Sequence, residues 1–183
     1  MQRPFRQRNG FEQIAAGNVH AHCYAGRARP SGREPFAKQE KTMDRHATAV
    51  WKGNLTEGAG TLDLQSGVFS GQAYSFKSRF QDESGKSGTN PEELIAAAHA
   101  GCFAMQLSHF LAENGTPAEK LDAKAVVTLV PGTGITGSAL TLVGTVPGLD
   151  DAKFKELASK AKAECPISKA LGAINVSLDA KLA

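Results

Sequence analysis

Cysteine is scarce in this chain, with three among 183 residues: Cys23, Cys102 and Cys165. So few, so unevenly spaced, exclude a disulfide scaffold and point to a reducing compartment, so the expected address is cytoplasmic. Long hydrophobic runs are missing as well. The most apolar stretch, residues 94–107, is interrupted by His99 and Gln106 before it reaches the about 18 residues a bilayer span needs, and no membrane crossing is expected. No internal repeat is visible. Arginine is almost absent beyond Met43, where only Arg45 and Arg79 occur. What remains has the length and composition of one ordinary globular domain.

The net charge of +3 is unevenly distributed: residues 1–42 carry eight Lys/Arg against three Glu, which leaves the rest slightly acidic. This front segment lacks sustained periodicity and is rich in Arg, Gly and Pro, so residues 1–44 read as a disordered basic extension, with 45–183 as the folded domain. No apolar core follows the arginines as a secretory signal requires, and Glu12, Glu34 and Glu40 argue against a transit peptide. An upstream start-site artefact fits this composition, with Met43 as the natural beginning. His20, His22 and Cys23 form an HAHC cluster, but three ligands in an unstructured tail are assigned no chemistry. The arginines also lack interleaved aromatics, so no nucleic-acid role is expected.

Alternation over residues 46–52 and again at Leu62 and Leu64, across a glycine-rich turn, predicts a hairpin, and the aromatic-rich residues 68–80 predict a third strand before a flexible Gly/Ser loop. A helix is then marked by Asn90 as cap, Pro91 at its first position and Glu93 completing a capping box, and it stops at Asn114-Gly115. About 23 residues give it roughly 34 Å. Apolar residues occur all round it, which predicts a helix covered on nearly every side, more than a domain this small can manage without a second copy. Two alternating runs around Pro131-Gly132-Thr133-Gly134 predict another hairpin. Asp150 caps an amphipathic helix, Cys165-Pro166 starts a short one, and residues 174–182 alternate in a last strand. The fold class is α+β with antiparallel sheets around a long central helix.

Cys102 lies in the middle of the long helix, where a thiol is either packing or chemistry. If it is a nucleophile, a side-chain cation must stabilise its thiolate. Cys165, before Pro166, occupies a cap position that itself favours a thiolate. Arg79 is the cation to consider, since it ends the aromatic strand just before the loop into the helix; a strand-end surface charge is the alternative. Phe80, Phe103 and Met105 are candidate walls of an apolar pocket. His99 shares a face with Cys102, yet a cysteine hydrolase would want an oxyanion hole near a helix start, and a zinc site would want further ligands. His99 therefore reads as a hydrogen-bonded core residue, and His109 as structural.

Together GTNPEELIAAAHAGCFAMQL, KAKAECPISKAL and YSFKSRF closely resemble the OsmC branch of the OsmC/Ohr family of organic-hydroperoxide peroxidases, from about residue 46 to the C-terminus. In the related Ohr branch the active-site arginine comes from the first hairpin, and TEGAGTLDL has none, so Arg79 inherits that role. The resemblance implies an intertwined homodimer with two interfacial sites, Cys102 as peroxidatic thiol, Cys165 as resolving thiol, and Arg79 with Glu92 as the activating pair. It implies no cofactor and no metal, an organic hydroperoxide as substrate, and a dithiol reductant such as lipoyl groups rather than glutathione. Glu92 and Cys102 are ten residues apart on one helix, roughly 15 Å along its axis. If both touch one guanidinium, Glu92 must come from the other subunit. A redox sensor or small-molecule binding protein of the same fold is the competing reading; a sensor stops after one equivalent of peroxide.

Overall fold

The computed structural model describes residues 42–183, and a compact unit runs from Asp44 to Ala183. The expected disorder of the extension and the HAHC cluster lie outside the described residues. Strands β1 (Ala47–Lys52), β2 (Ala59–Leu64) and β3 (Gln72–Ser75) form one antiparallel sheet in that order. Gly60 lies opposite both Trp51 and Tyr74, whose rings meet with centroids 5.3 Å apart. A Cβ on Gly60 would stand 2.6 Å from the Tyr74 ring, so only glycine admits this pairing.

The predicted third strand is too long. It ends at Ser75, and Phe76–Phe80 is a short helix, α1. The reason is a local capping box: the Ser75 hydroxyl accepts from the Ser78 N–H at 3.0 Å and the Ser78 hydroxyl accepts from the Ser75 N–H at 2.9 Å.

Helix α2 (Pro91–Glu113) has the expected bounds. Asn90 Oδ1 accepts from the Glu93 N–H at 2.8 Å, but the Glu93 carboxylate takes the Thr89 hydroxyl at 2.8 Å, so Thr89 completes the cap. Gly115, at φ 78°, ends the helix in the left-handed region. By length and composition α2 could pass for a membrane span, contrary to the sequence reading, but it packs against a sheet and two helices.

That sheet is β4 (Lys120–Val130), β5 (Gly134–Thr145) and β6 (Asn175–Leu182), with α3 (Asp151–Glu164) and α4 (Pro166–Ala170) between the last two strands. The β4–β5 hairpin is antiparallel as expected, whereas β6 runs parallel to β5. This corrects the all-antiparallel expectation: α3 and α4 supply the crossover that a parallel pair needs, and strand direction leaves no mark on an alternating pattern.

The core lies between this sheet and its helices. Phe103, Leu107 and Leu111 from α2, Leu140 and Leu142 from β5, and Phe154, Ala158 and Ala161 from α3 are buried together. Gly144 gives Phe154 its space, because a Cβ there would lie 2.5 Å from the ring. Phe103 is therefore core, not the pocket wall it was expected to be.

The loop after α1, read from its Gly and Ser as flexible, is built around one carboxylate. Asp82 Oδ1 accepts from the Ser84 N–H at 3.0 Å and its hydroxyl at 2.6 Å, and Oδ2 accepts from the N–H groups of Lys86 at 2.9 Å and Ser87 at 2.8 Å. The Ser84 and Ser87 side chains, then the Ser87 N–H, hold the Asp82 carboxyl well below the usual carboxylate range.

Truncating Phe154 to Ala is expected to cost about 3–5 kcal/mol in denaturant unfolding, while Val68→Ala, at an exposed site, leaves the midpoint in place. In Asp82→Ala the amides of Ser84, Lys86 and Ser87 should exchange with deuterium at least about tenfold faster. Because the folded value is depressed, this order is complete above the ordinary Asp value of about 3.9 and is lost only as pH falls through the lower folded value.

Candidate active site

Cys102 and Cys165 meet with their sulfurs 3.2 Å apart, and both are free thiols. Two layers of the core bring them together. Cys102 lies midway along α2, and Cys165 ends α3 and begins α4, at the turn that presses on the same helix. Cys165 is fully buried, whereas Cys102 is half-buried and opens onto a groove of about 630 Å³ lined by Ala98, Gly101, Met105, Gln106, Pro166 and Ile167. Met105 stands there as expected, and it is largely exposed.

The two thiols differ electrostatically. Burial pushes the Cys102 thiol up, the Ile167 N–H offsets part of that, and Cys165 raises it further. Burial also opposes ionisation of Cys165, but the Ser168 N–H, the Cys102 thiol and the Ser168 hydroxyl outweigh it, so its thiol is lowered. Within one chain, Cys165 is the better thiolate.

Arg79 and Glu92 form a separate pair. Glu92 accepts twice from the guanidinium, Nη2 to Oε1 at 2.6 Å and Nε to Oε2 at 3.1 Å, a planar two-point clamp between α1 and the first turn of α2. Arg79 also lies 4.8 Å from the centre of the Phe80 ring. The Glu92 side chain is 13% exposed and that of Arg79 33%. Both line an open groove with Phe80, Ala96, Val126 and Leu129, and Arg79 and Phe80 also line an aromatic pocket with Trp51, Tyr74 and Phe76. Arg79 thus stands with the Glu92 of its own chain. The rise of α2 still sets this pair roughly 15 Å along the axis from Cys102.

His99 is fully buried and bonded on both ring nitrogens, Nδ1 to Ser138 Oγ at 2.7 Å and Nε2 to Ser168 Oγ at 2.9 Å, the core role expected of it. His109 is at the surface, 3.3 Å from Glu113. Sequence reasoning missed Ser138, Ser168 and Asp82, because isolated serines and a loop aspartate carry no periodic signal. The S-x-x-S spacing of Ser75 and Ser78 was a usable signal for α1.

A profile of the family described as OsmC-like protein matches residues 83–179. Peroxiredoxin OsmC of Escherichia coli (strain K12) is 43% identical over 144 residues, covering 77% of this chain and 98% of that protein. The organic hydroperoxide resistance protein OhrB of Bacillus subtilis (strain 168) is 36% identical over 100 residues, covering 53% and 73%. The crystal structure of OhrB of Bacillus subtilis aligns with a TM-score of 0.53 at 27% identity, over 74% of this chain and 98% of that one. A structure titled as an organic hydroperoxide resistance protein OsmC from Legionella pneumophila shares the fold, with a TM-score of 0.57 at 23% identity over 77% and 99%. Motifs, fold and kinship agree, and the chain belongs to the OsmC/Ohr family.

Proposed function

We propose that this chain is a thiol-dependent peroxidase that reduces organic hydroperoxides to alcohols in the reducing cytoplasm. It works as a homodimer in which Cys102 and Cys165 of one subunit face the partner subunit's Arg79 and the partner subunit's Glu92. The observation that carries this reading is the 3.2 Å approach of two free thiols, one buried and one open to an apolar groove.

Two features support the second copy. Every residue of β1 is exposed although Ala47, Ala49 and Trp51 alternate as if to face a core, and α2 leaves Ala97, Ala98, Gly101 and Met105 uncovered. Among the described residues, nothing outside its own helix turn lies within 4 Å of a Cβ placed on Gly101, so another helix can approach there closely. An antiparallel α2 pair would carry each clamp across the roughly 15 Å gap to the other subunit's Cys102. The cation also meets a need, since Cys102 alone is pushed away from ionisation.

The chemistry then runs in three balanced steps. Cys102 thiolate attacks the outer oxygen of ROOH; the O–O bond breaks, RO⁻ takes a proton and leaves as alcohol, and Cys102 becomes a sulfenic acid. The guanidinium stabilises the starting thiolate and the developing alkoxide. Cys165 thiolate attacks the Cys102 sulfur, the S–S bond forms, the S–O bond breaks, and hydroxide leaves as water. A dithiol, such as a lipoyl group, then exchanges with the disulfide and restores both thiols.

Supplied with cumene hydroperoxide and a dithiol, the wild type should consume many equivalents, and Cys102→Ser none. Cys165→Ser should stop after one equivalent with a sulfenic acid on Cys102, and Arg79→Ala should turn over about 10²–10³-fold more slowly. Wild-type turnover by Cys102→Ser would remove the assigned nucleophile, and a single equivalent consumed by the wild type would mark a sensor. A monomer in sedimentation velocity at assay concentration would eliminate the shared site.

A further inference from the structure

Two free thiols 3.2 Å apart are a chelating pair as well as a redox pair. What they can hold follows from the number of donors and from the angle between them. Among the described residues, no group of three or more His, Cys, Asp or Glu side chains is placed to hold a metal ion. His99, one turn before Cys102 on α2, has both ring nitrogens occupied by the hydroxyls of Ser138 and Ser168. The site therefore offers two soft sulfur donors, whereas structural zinc takes four protein ligands and catalytic zinc three. A central atom about 2.3 Å from each sulfur, the length of a zinc–sulfur bond, would see this pair under nearly a right angle. Tetrahedral zinc wants a wider one. Trivalent arsenic is pyramidal, makes bonds of similar length at close to right angles, and is complete with two sulfurs and one carbon.

That carbon has a place to go. Cys102 opens onto the groove of about 630 Å³, whose walls include Ala98, Gly101, Met105, Pro166 and Ile167. Pro166 and Ile167 directly follow Cys165, so the groove runs past both sulfurs, the open one in front and the buried one behind it. We propose that Cys102 and Cys165 form a capture site for trivalent arsenicals that carry one apolar substituent, with arsenic bridging the sulfurs and the substituent in the groove. An arsonous acid, with one As–C and two As–O bonds, meets the Cys102 thiol first: an As–S bond forms, an As–O bond breaks, and the thiol proton leaves with the hydroxide as water. The Cys165 thiol then displaces the second hydroxide in the same way. Nothing is oxidised or reduced. Because the first bond holds arsenic beside the second thiol, ring closure is intramolecular and strongly favoured. In the peroxidase reading this ring occupies both redox thiols; the capture itself does not rest on that reading.

The probe is phenylarsine oxide, which hydrates to such an acid and is close in size to cumene hydroperoxide, so an entrance that admits one admits the other. In the reduced full chain carrying Cys23→Ser, intact mass should show one phenylarsenic group added per chain, with both free thiols lost. Mercaptoethanol, a monothiol, should leave the adduct in place, and dithiothreitol should strip it. Adding Cys102→Ser or Cys165→Ser should weaken binding roughly 10²–10⁴-fold and let the monothiol remove the arsenical. Zinc ions at equal concentration should not protect the thiols. An adduct on the parent that mercaptoethanol removes, equal affinity in the Cys165→Ser variant, or protection by zinc would overturn the proposal. The first of these concerns the parent alone, so it decides even where a further serine variant fails to fold. Capture without peroxide turnover would remove the peroxidase reading and leave this one, and turnover without capture would do the reverse.

Discussion

The fixed pitch of one helix governs the chemistry available to this protein. An α-helix climbs about 1.5 Å per residue, and nothing in the packing of α2 can shorten the interval between Glu92 and Cys102. The guanidinium clamp is tied to the first turn by two hydrogen bonds from Arg79. The sulfur pair is tied to the middle of the helix by Cys165. Each half is well made by itself, and among the described residues they stand apart: the guanidinium has no thiol beside it, and the Cys102 thiol is pushed away from ionisation. In the proposed dimer a reversed second copy of the same helix brings the halves together, over the exposed residues Ala97, Ala98, Gly101 and Met105.

Behind the sulfurs, the core supplies rigidity more than chemistry. Phe103 and Leu107 follow Cys102 on α2 and anchor it against β5 and α3, while Phe154 is accommodated over Gly144. Close packing of this kind leaves little room for adjustment. It explains how two cysteines 63 positions apart in the sequence can be held at contact distance. The buried polar row of Ser138, His99 and Ser168 crosses the same region, fully satisfied, and it fixes α2, β5 and α4 relative to one another.

Much of this was legible in the chain. Asn90, Pro91 and Gly115 give the ends of α2 because capping is a local matter, and the strands of both hairpins follow from alternation. The cysteines and Arg79 stood out by scarcity and position, their roles and Glu92 came from motif resemblance, and composition by itself left Cys102 undecided between packing and reactivity. What could not be read was non-local. The direction of β6 depends on the crossover before it, and the pairing of Arg79 with its own Glu92 depends on α1 turning where a strand seemed to continue. Phe103 looked like a pocket wall until the sheet beneath it was known. The Asp82 cradle escaped because Gly and Ser promise freedom, while one carboxylate with four donors removes it.

The crossover that makes β6 parallel to β5 also sets a timetable. Cys165 reaches Cys102 only after α3 has been made and folded back, 63 residues later in the chain. At about 5–20 residues per second on the ribosome, the earlier thiol waits roughly 3–13 s without its neighbour. Through that interval Cys102 stands without the second thiol that it meets at 3.2 Å in the finished fold.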